Sequence, residues 1–239
     1  MRTGPARANS GPSLTADREK TRMDFEKARQ HMVDSQVRPN DVTDPRLQCA
    51  FESVARELYL PAEWRAQAYV DREVPYAPRR SLLTARDLSK LLAALDIGAG
   101  DLVLDVGCGS GYSAAILSHL CEMVVAIEDD EGLAAKAQEA WSATGVVNAA
   151  VIAGAPAAGA PKQGPFDVIL VGGVIETEPT ALLKQLKDGG RLGAIWRNGV
   201  AAKGVVWRRS GASVAQREIF DAAAKTVMTG FERPKAFVF

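Results

Sequence analysis

Histidine is nearly absent from this chain: His31 and His119 are the only two in 239 residues. Chemistry that depends on an imidazole base has few places to reside, and both are read as structural or surface residues. Cysteine is scarce too. Cys49, Cys108 and Cys121 show no metal-ligand spacing and leave an odd number, which suits reduced thiols in packing roles and a reducing compartment, with no bound metal. No apolar run approaches the roughly 18 residues a membrane helix needs, so the cytoplasm is the default location and no membrane partner is expected. Charge of one sign is missing as well. Lys plus Arg and Asp plus Glu each number 29, so the bulk charge recruits neither nucleic acid nor an anionic membrane. What is present, 47% hydrophobic and 24% charged residues, is the composition of an ordinary globule. The length suits one α/β domain with an appendage.

The stretch around which the chain is organised runs Leu102-Val103-Leu104-Asp105-Val106-Gly107-Cys108-Gly109-Ser110-Gly111-Tyr112. A short apolar run ends in an acid and three alternating glycines, and a helical pattern over Ser113–Leu120 follows at once. This predicts a strand, a tight turn and a helix start. A turn this sharp that also lets a ligand approach the backbone cannot tolerate Cβ atoms. The register does not fit a dinucleotide, because Tyr112 stands where the last glycine of that fingerprint would fall. Asp105 at the mouth would repel a pyrophosphate yet accept hydrogen bonds from, or pair with, a cation. A second apolar run, Met123–Ile127, ends in Glu128, Asp129 and Asp130. A strand-end acid about 20 residues past a glycine turn has the geometry for ribose hydroxyls. Asp105, Gly107, Gly109, Ser110, Gly111, Glu128 and Asp129 together look like the S-adenosyl-L-methionine site of a Rossmann-like methyltransferase.

Along the chain, residues 1–22 are rich in Arg, Ser, Gly and Pro and read as a disordered tail, since they bury too little apolar surface to offset their ordering entropy. Met23 opens the structured pattern. Apolar positions recur at helical spacing over Phe25–Val37 and Arg46–Leu60, and Asp44-Pro45 is a helix start signal. Residues 23–97 are therefore expected to form a helical cap and a substrate loop, with Val74–Leu83 as loop and Ala85–Leu95 as a third helix capped by Thr84 with Asp87 three residues on. Residues 98–239 are expected to form the S-adenosyl-L-methionine-binding domain. Beyond the glycine turn, strands at Met123–Ile127, Ala149–Ala153, Phe166–Val171 and Gly190–Trp196 alternate with helices at Glu131–Ala143 and Glu178–Lys187. That order predicts a doubly wound, mostly parallel sheet. Gly204–Arg209 and Lys235–Phe239 are expected as antiparallel terminal strands around a mixed segment.

With these blocks in view, the chain resembles the protein-L-isoaspartate O-methyltransferase family from about Met23 to the Trp196 strand. Val54-Ala55-Arg56-Glu57-Leu58-Tyr59-Leu60-Pro61 looks like that family's helix end, and Ala68-Tyr69-Val70-Asp71 like its Ala-Tyr-x-Asp. Val103–Tyr112 looks like its cofactor strand and turn, and Pro179–Gly190 like its helix and turn before the fifth strand. The family's Thr-Ile-Ser-x-Pro substrate loop falls on Arg79-Arg80-Ser81-Leu82-Leu83. Ser81 is retained, while Arg79 stands for the threonine and Leu83 for the proline. After the third strand, Gly154-Ala155 replaces the usual Gly-Asp, so Ala155 occupies the position expected near the adenine.

The resemblance implies carboxylate methylation at L-isoaspartyl residues of damaged proteins, a repair activity, with isoaspartyl proteins or peptides as partners and a monomer or weak oligomer as the assembly. A carboxylate is already ionised at neutral pH, so the enzyme mainly aligns nucleophile and methyl in a dry site. Ser81 is the candidate catalytic residue, donating a hydrogen bond that orients the acceptor carboxylate; its alternative role is a helix cap. Arg79 and Arg80 are candidate clamps for that carboxylate, the alternative being a solvated basic loop, and Leu83 completes the substrate-binding set. Two other readings stay open: a methyltransferase of this fold with a different acceptor, and a cofactor-binding homologue without turnover, of which Ala155 would be the sign.

Overall fold

The computed structural model describes residues 24–234. The expected tail at 1–22, the start at Met23 and the strand at Lys235–Phe239 lie outside these residues. A first helix, α1, covers residues 24–32 and widens into a π-helical turn over Val33–Val37. Helix α2, Pro45–Ser53, starts as anticipated: Pro45 occupies the first turn and the Asp44 carboxylate accepts the Arg46 N–H at 2.8 Å, satisfying an otherwise orphaned amide. The helical pattern read through to Leu60 is broken after Ser53. Val54 and Ala55 are extended and a separate 3-10 turn spans Arg56–Tyr59. The break turns the Arg56 guanidinium inward, where Nε donates to Ala68 O and an Nη to Leu83 O, both at 2.7 Å.

The expected loop at Val74–Leu83 is a small antiparallel hairpin, β1 (Val74–Ala77) with β2 (Arg80–Leu82). Its turn places Arg79 at φ +60°. Helix α3, Ala85–Leu95, has the anticipated bounds, and the Thr84 hydroxyl accepts the Asp87 N–H at 2.9 Å. Thr84 is thus the cap, and Ser81 is not.

Then come β3 (Leu102–Val106), α4 (Tyr112–Ser118), β4 (Met123–Glu128), α5 (Glu131–Thr144), β5 (Ala149–Ala153), β6 (Phe166–Ile175), α6 (Thr180–Leu183), β7 (Leu186–Arg197), β8 (Ala202–Ser210) and β9 (Ser213–Ala222). The sheet order is β5-β4-β3-β6-β7-β8-β9. Pairings from β5 through β7 are parallel and the last two antiparallel. This is the doubly wound sheet the sequence predicts. Two elements differ. The helix expected over Glu178–Lys187 is one turn long, because the Gln185 side chain turns to bond Ala158 O and Ala160 N while Leu186 already pairs with Phe166. The final described strand is β9, in the segment read as mixed. Most of its residues are exposed, and an edge of Ser, Gln, Arg and Glu resists further strand addition.

The sheet separates two cores. On one face Val103, Val124, Ala126 and Leu170 pack against the cap helices, Leu91, Ile116 and Trp141. On the other Leu104, Val106, Ile127 and Ile169 meet Leu182, Met228 and Phe231. Strand order reverses between β3 and β6, and at the carboxyl ends of such neighbouring strands an open α/β sheet leaves its ligand crevice. The glycine turn sits there. Among the described residues no helix is long and apolar enough to cross a membrane.

Candidate active site

The glycine turn leaves β3 with Gly109 at φ +57° and Gly111 at φ +94°, a left-handed backbone that side chains rarely adopt. Close packing fixes it as well. A Cβ at Gly111 would stand 2.7 Å from the Trp141 indole nitrogen, and that nitrogen donates to Gly111 O at 2.9 Å. The turn is therefore clamped by α5 from behind. Ser110 is committed to the cap, its hydroxyl donating to Tyr59 O at 2.6 Å. Tyr112 is buried, edge-on to Tyr59 at 5.6 Å between centroids, with the Arg56 guanidinium 4.8 Å above its ring.

Two acids stand where the sequence puts them, and both are wholly buried. Asp105 accepts the Ser113 hydroxyl through Oδ2 at 2.6 Å, and its Oδ1 has no partner. Burial, with the Glu128 charge adding to it, pushes the Asp105 carboxyl up to about 7. Glu128, the last residue of β4, accepts the Gly109 N–H through Oε2 at 2.7 Å, and through Oε1 the N–H groups of Asp129 and Asp130 at 3.1 and 3.2 Å. Burial raises its carboxyl, opposed by the nearby Arg80 guanidinium and the Gly109 N–H. The thiol of Cys108, inside the turn, is pushed well above its ordinary value by burial and the two acids.

The hairpin meets this turn directly. Arg80 donates to Glu128 Oε1 at 3.2 Å and also bonds Asp129. The Tyr76 hydroxyl lies where a Gly109 Cβ would be, and the Met228 thioether where a Gly107 Cβ would be. The C-terminal segment that carries Met228 is tied down by carboxylates from the cap: Asp87 accepts Ala223 N and Ala224 N at 2.8 and 3.1 Å, and Glu73 accepts Lys225 N at 3.1 Å. Between Glu73, Tyr76, Arg80, Gly173 and Met228 a cavity of only about 10 Å³ remains.

The structure thus brings together Asp105, Gly107, Gly109, Ser110, Gly111, Glu128, Asp129 and Arg80. Ser81 lies beside them in β2, paired with Pro75 and half-buried, on the wall of that cavity. Arg79 also borders that cavity, but its side chain is 78% exposed and meets Glu232 at 3.3 Å, not the two buried acids. Leu83 is buried in the core and offers only its carbonyl, to Arg56. Ala155 is exposed and caps the 3-10 turn Pro156–Ala158. Both histidines lie on the surface.

Tyr76, Met228, Arg56 and Trp141 were not singled out as site residues by sequence. For Tyr76 the available signal was its place three residues before the basic pair Arg79-Arg80; for Met228 there was none. An adenosyl sulfonium compound matches the donor set. It would need hydroxyl acceptors at a buried strand-end carboxylate, which Glu128 is, and a counter-charge for its ammonium, for which Asp105 keeps an unpartnered oxygen.

A family model described as protein-L-isoaspartate(D-aspartate) O-methyltransferase matches residues 27–204. A curated protein-L-isoaspartate O-methyltransferase from Koribacter versatilis (strain Ellin345) is 36% identical over 164 residues, 69% of this chain and 74% of that protein. One from Jannaschia sp. (strain CCS1) is 36% identical over 172 residues, 72% of this chain and 77% of that protein. Among solved structures, a protein-L-isoaspartate O-methyltransferase superposes with a TM-score of 0.74 at 20% identity, over 86% of this chain and 66% of that one. A Plasmodium falciparum structure in complex with S-adenosyl-L-homocysteine gives 0.71 at 17% identity, over 82% of this chain and 96% of that one. At these identities the two structures speak for the fold.

Proposed function

The chain belongs to the protein-L-isoaspartate(D-aspartate) O-methyltransferase family, and from that premise we propose how its residues carry the activity. It is an S-adenosyl-L-methionine-dependent enzyme that methylates the carboxylate of isoaspartyl residues. The observation that carries the site assignment is the pair of buried acids flanking the glycine turn, Asp105 with a free oxygen and Glu128 bonded to Gly109 N.

Glu128 and Asp129 hold the ribose side of the cofactor, and Asp105 with the turn from Gly107 to Gly111 holds its amino-acid side. When bound, the cofactor supplies a methyl group on a cationic sulfur, already activated for in-line displacement. The acceptor carboxylate arrives ionised, so the chain needs no proton acceptor, which agrees with histidines that lie far out on the surface. Ser81 donates a hydrogen bond that orients the acceptor. Tyr76 and Met228 cover the cleft and exclude water, which would otherwise weaken the charge interactions inside. The enzyme repairs damaged proteins in the cytoplasm as a monomer or weak oligomer, with protein or peptide partners and not nucleic acid.

Radiolabelled methyl transfer tests this reading. An isoaspartyl peptide is labelled, and its normal aspartyl isomer is not. Label in other lysate components alone would shift the assignment to a different acceptor, and cofactor binding without any transfer would shift it to a binding protein.

A further inference from the structure

An ionised carboxylate offers about four acceptor sites, and among the described residues four donors already converge on Glu128. Oε2 takes Gly109 N–H, and Oε1 takes the N–H groups of Asp129 and Asp130 together with the Arg80 guanidinium. Three of these donors are backbone groups fixed by the turn and by the start of α5. The fourth is a side chain. Oε2 keeps one acceptor site beside Gly109 N–H, whereas Oε1 and the adjacent Asp129 carboxylate are bridged by one Arg80 Nη, so ribose hydroxyls that engage both acids must displace Arg80.

The surroundings of Arg80 make that exchange specific. Its side chain is 11% exposed, and one Nη bonds both Glu128 and Asp129 while the other lies 3.3 Å from Met228 Sδ. A guanidinium removed from both carboxylates in a half-closed cleft carries an uncompensated charge, which costs free energy until another anion meets it. Arg80 starts β2, one residue before Ser81 and next to the exposed turn residue Arg79. It can therefore leave the acids by local motion of the hairpin tip, while Val74, Leu82 and Leu83 stay in the core.

We propose that Arg80 is a built-in competitor for the cofactor's ribose subsite, and that the guanidinium, once displaced, holds the carboxylate of the methyl acceptor. Arg80 is in this sense a positioning residue that couples the two substrates. The proposal rests on the function given above. It predicts that cofactor and carboxylate acceptor bind with positive cooperativity, since each relieves the other's cost at Arg80. The apparent dissociation constant of the cofactor is its intrinsic value divided by the fraction of molecules in which Arg80 is away. A pair closed in about nine molecules of ten thus weakens cofactor binding about tenfold.

Calorimetric titration with S-adenosyl-L-homocysteine, which has no methyl to transfer, tests this with the wild-type chain, Arg80→Met and Arg80→Gln. Both variants are expected to bind about tenfold more tightly than wild type. Addition of an isoaspartyl peptide is expected to tighten binding to the wild type and to leave the variants unchanged. Equal or weaker binding by both variants, with folding verified by circular dichroism, would overturn the proposal. So would peptide-induced tightening of the same size in all three proteins. Absence of any S-adenosyl-L-homocysteine binding would instead overturn the cofactor assignment beneath it.

Discussion

Asp105 makes stability depend on pH in a direction opposite to that of most carboxylates. Its carboxyl is wholly buried, one oxygen is unpaired, and burial lifts it from 3.8 to about 7. The folded chain therefore keeps the Asp105 proton to a higher pH than the unfolded chain does. Between about pH 4 and pH 7 the native state binds more protons, so the free energy of unfolding falls as pH rises through that window and is flat above it. Each pH unit in the window is worth about 1.4 kcal/mol, which bounds the loss at about 4 kcal/mol. Replacement by asparagine keeps an acceptor for Ser113 and removes the titration. Urea unfolding of wild type and Asp105→Asn from pH 4.5 to 8 reads the effect, because titrating groups remote from Asp105 cancel in the difference and only its neighbour Glu128 is coupled to it in this range. The variant should gain stability relative to wild type as pH rises, by up to about 4 kcal/mol across the window. Difference curves that stay level with pH would refute the assignment of the raised value to Asp105.

Other outcomes follow from the same contacts. Trp141→Ala should cost about 3–5 kcal/mol in thermal or chemical unfolding, and because Trp141 closes the turn through Gly111 O, it should also weaken S-adenosyl-L-homocysteine binding. Thr84→Ala removes the acceptor for Asp87 N–H and should cost about 1 kcal/mol, measured by the same unfolding curves. In hydrogen exchange read by mass spectrometry, Asp87→Ala, which removes the acceptor, should speed exchange at Ala223 and Ala224, whose amides it holds, and leave β3 unchanged; unaltered protection at those two amides would contradict the bond.

The parts legible in the sequence are those whose cause is local. Glycines at a turn with positive φ, a Thr84 cap three residues before Asp87, and Asp44-Pro45 ahead of α2 all answer to neighbouring backbone groups. Their signals therefore sit within a few residues of the feature. The helix expected over Glu178–Lys187 failed for the opposite reason: its periodicity is real, but Leu186 pairs with Phe166 across the sheet and that tertiary gain overrides a weak propensity. Tyr76 and Met228 reach the turn from distant positions, and nothing in their immediate sequence announces it. Arg80 was legible as a charge near the acceptor, yet its partners Glu128 and Asp129 were not, because the hairpin that delivers it reads as loop.

Which of the two covers over the glycine turn gives way is decided by how each is tied. The segment bearing Met228 is bonded to the sheet, with Val174 N donating to Thr226 O at 3.0 Å and Met228 N to Val174 O at 2.8 Å. It is also bonded to the cap through Asp87 and Glu73. Lifting it would break several hydrogen bonds at about 1 kcal/mol each and bare two carboxylates, one of them buried. The hairpin tip, by contrast, has strand pairing only within the two-stranded sheet and is otherwise held by the side chains of Arg80 and Arg79, the latter mostly in solvent. Releasing Arg80 disturbs one guanidinium and returns Glu128 an acceptor site. The displacement of Arg80 proposed above is thus assigned to the hairpin tip, with the C-terminal segment as the more firmly tied wall.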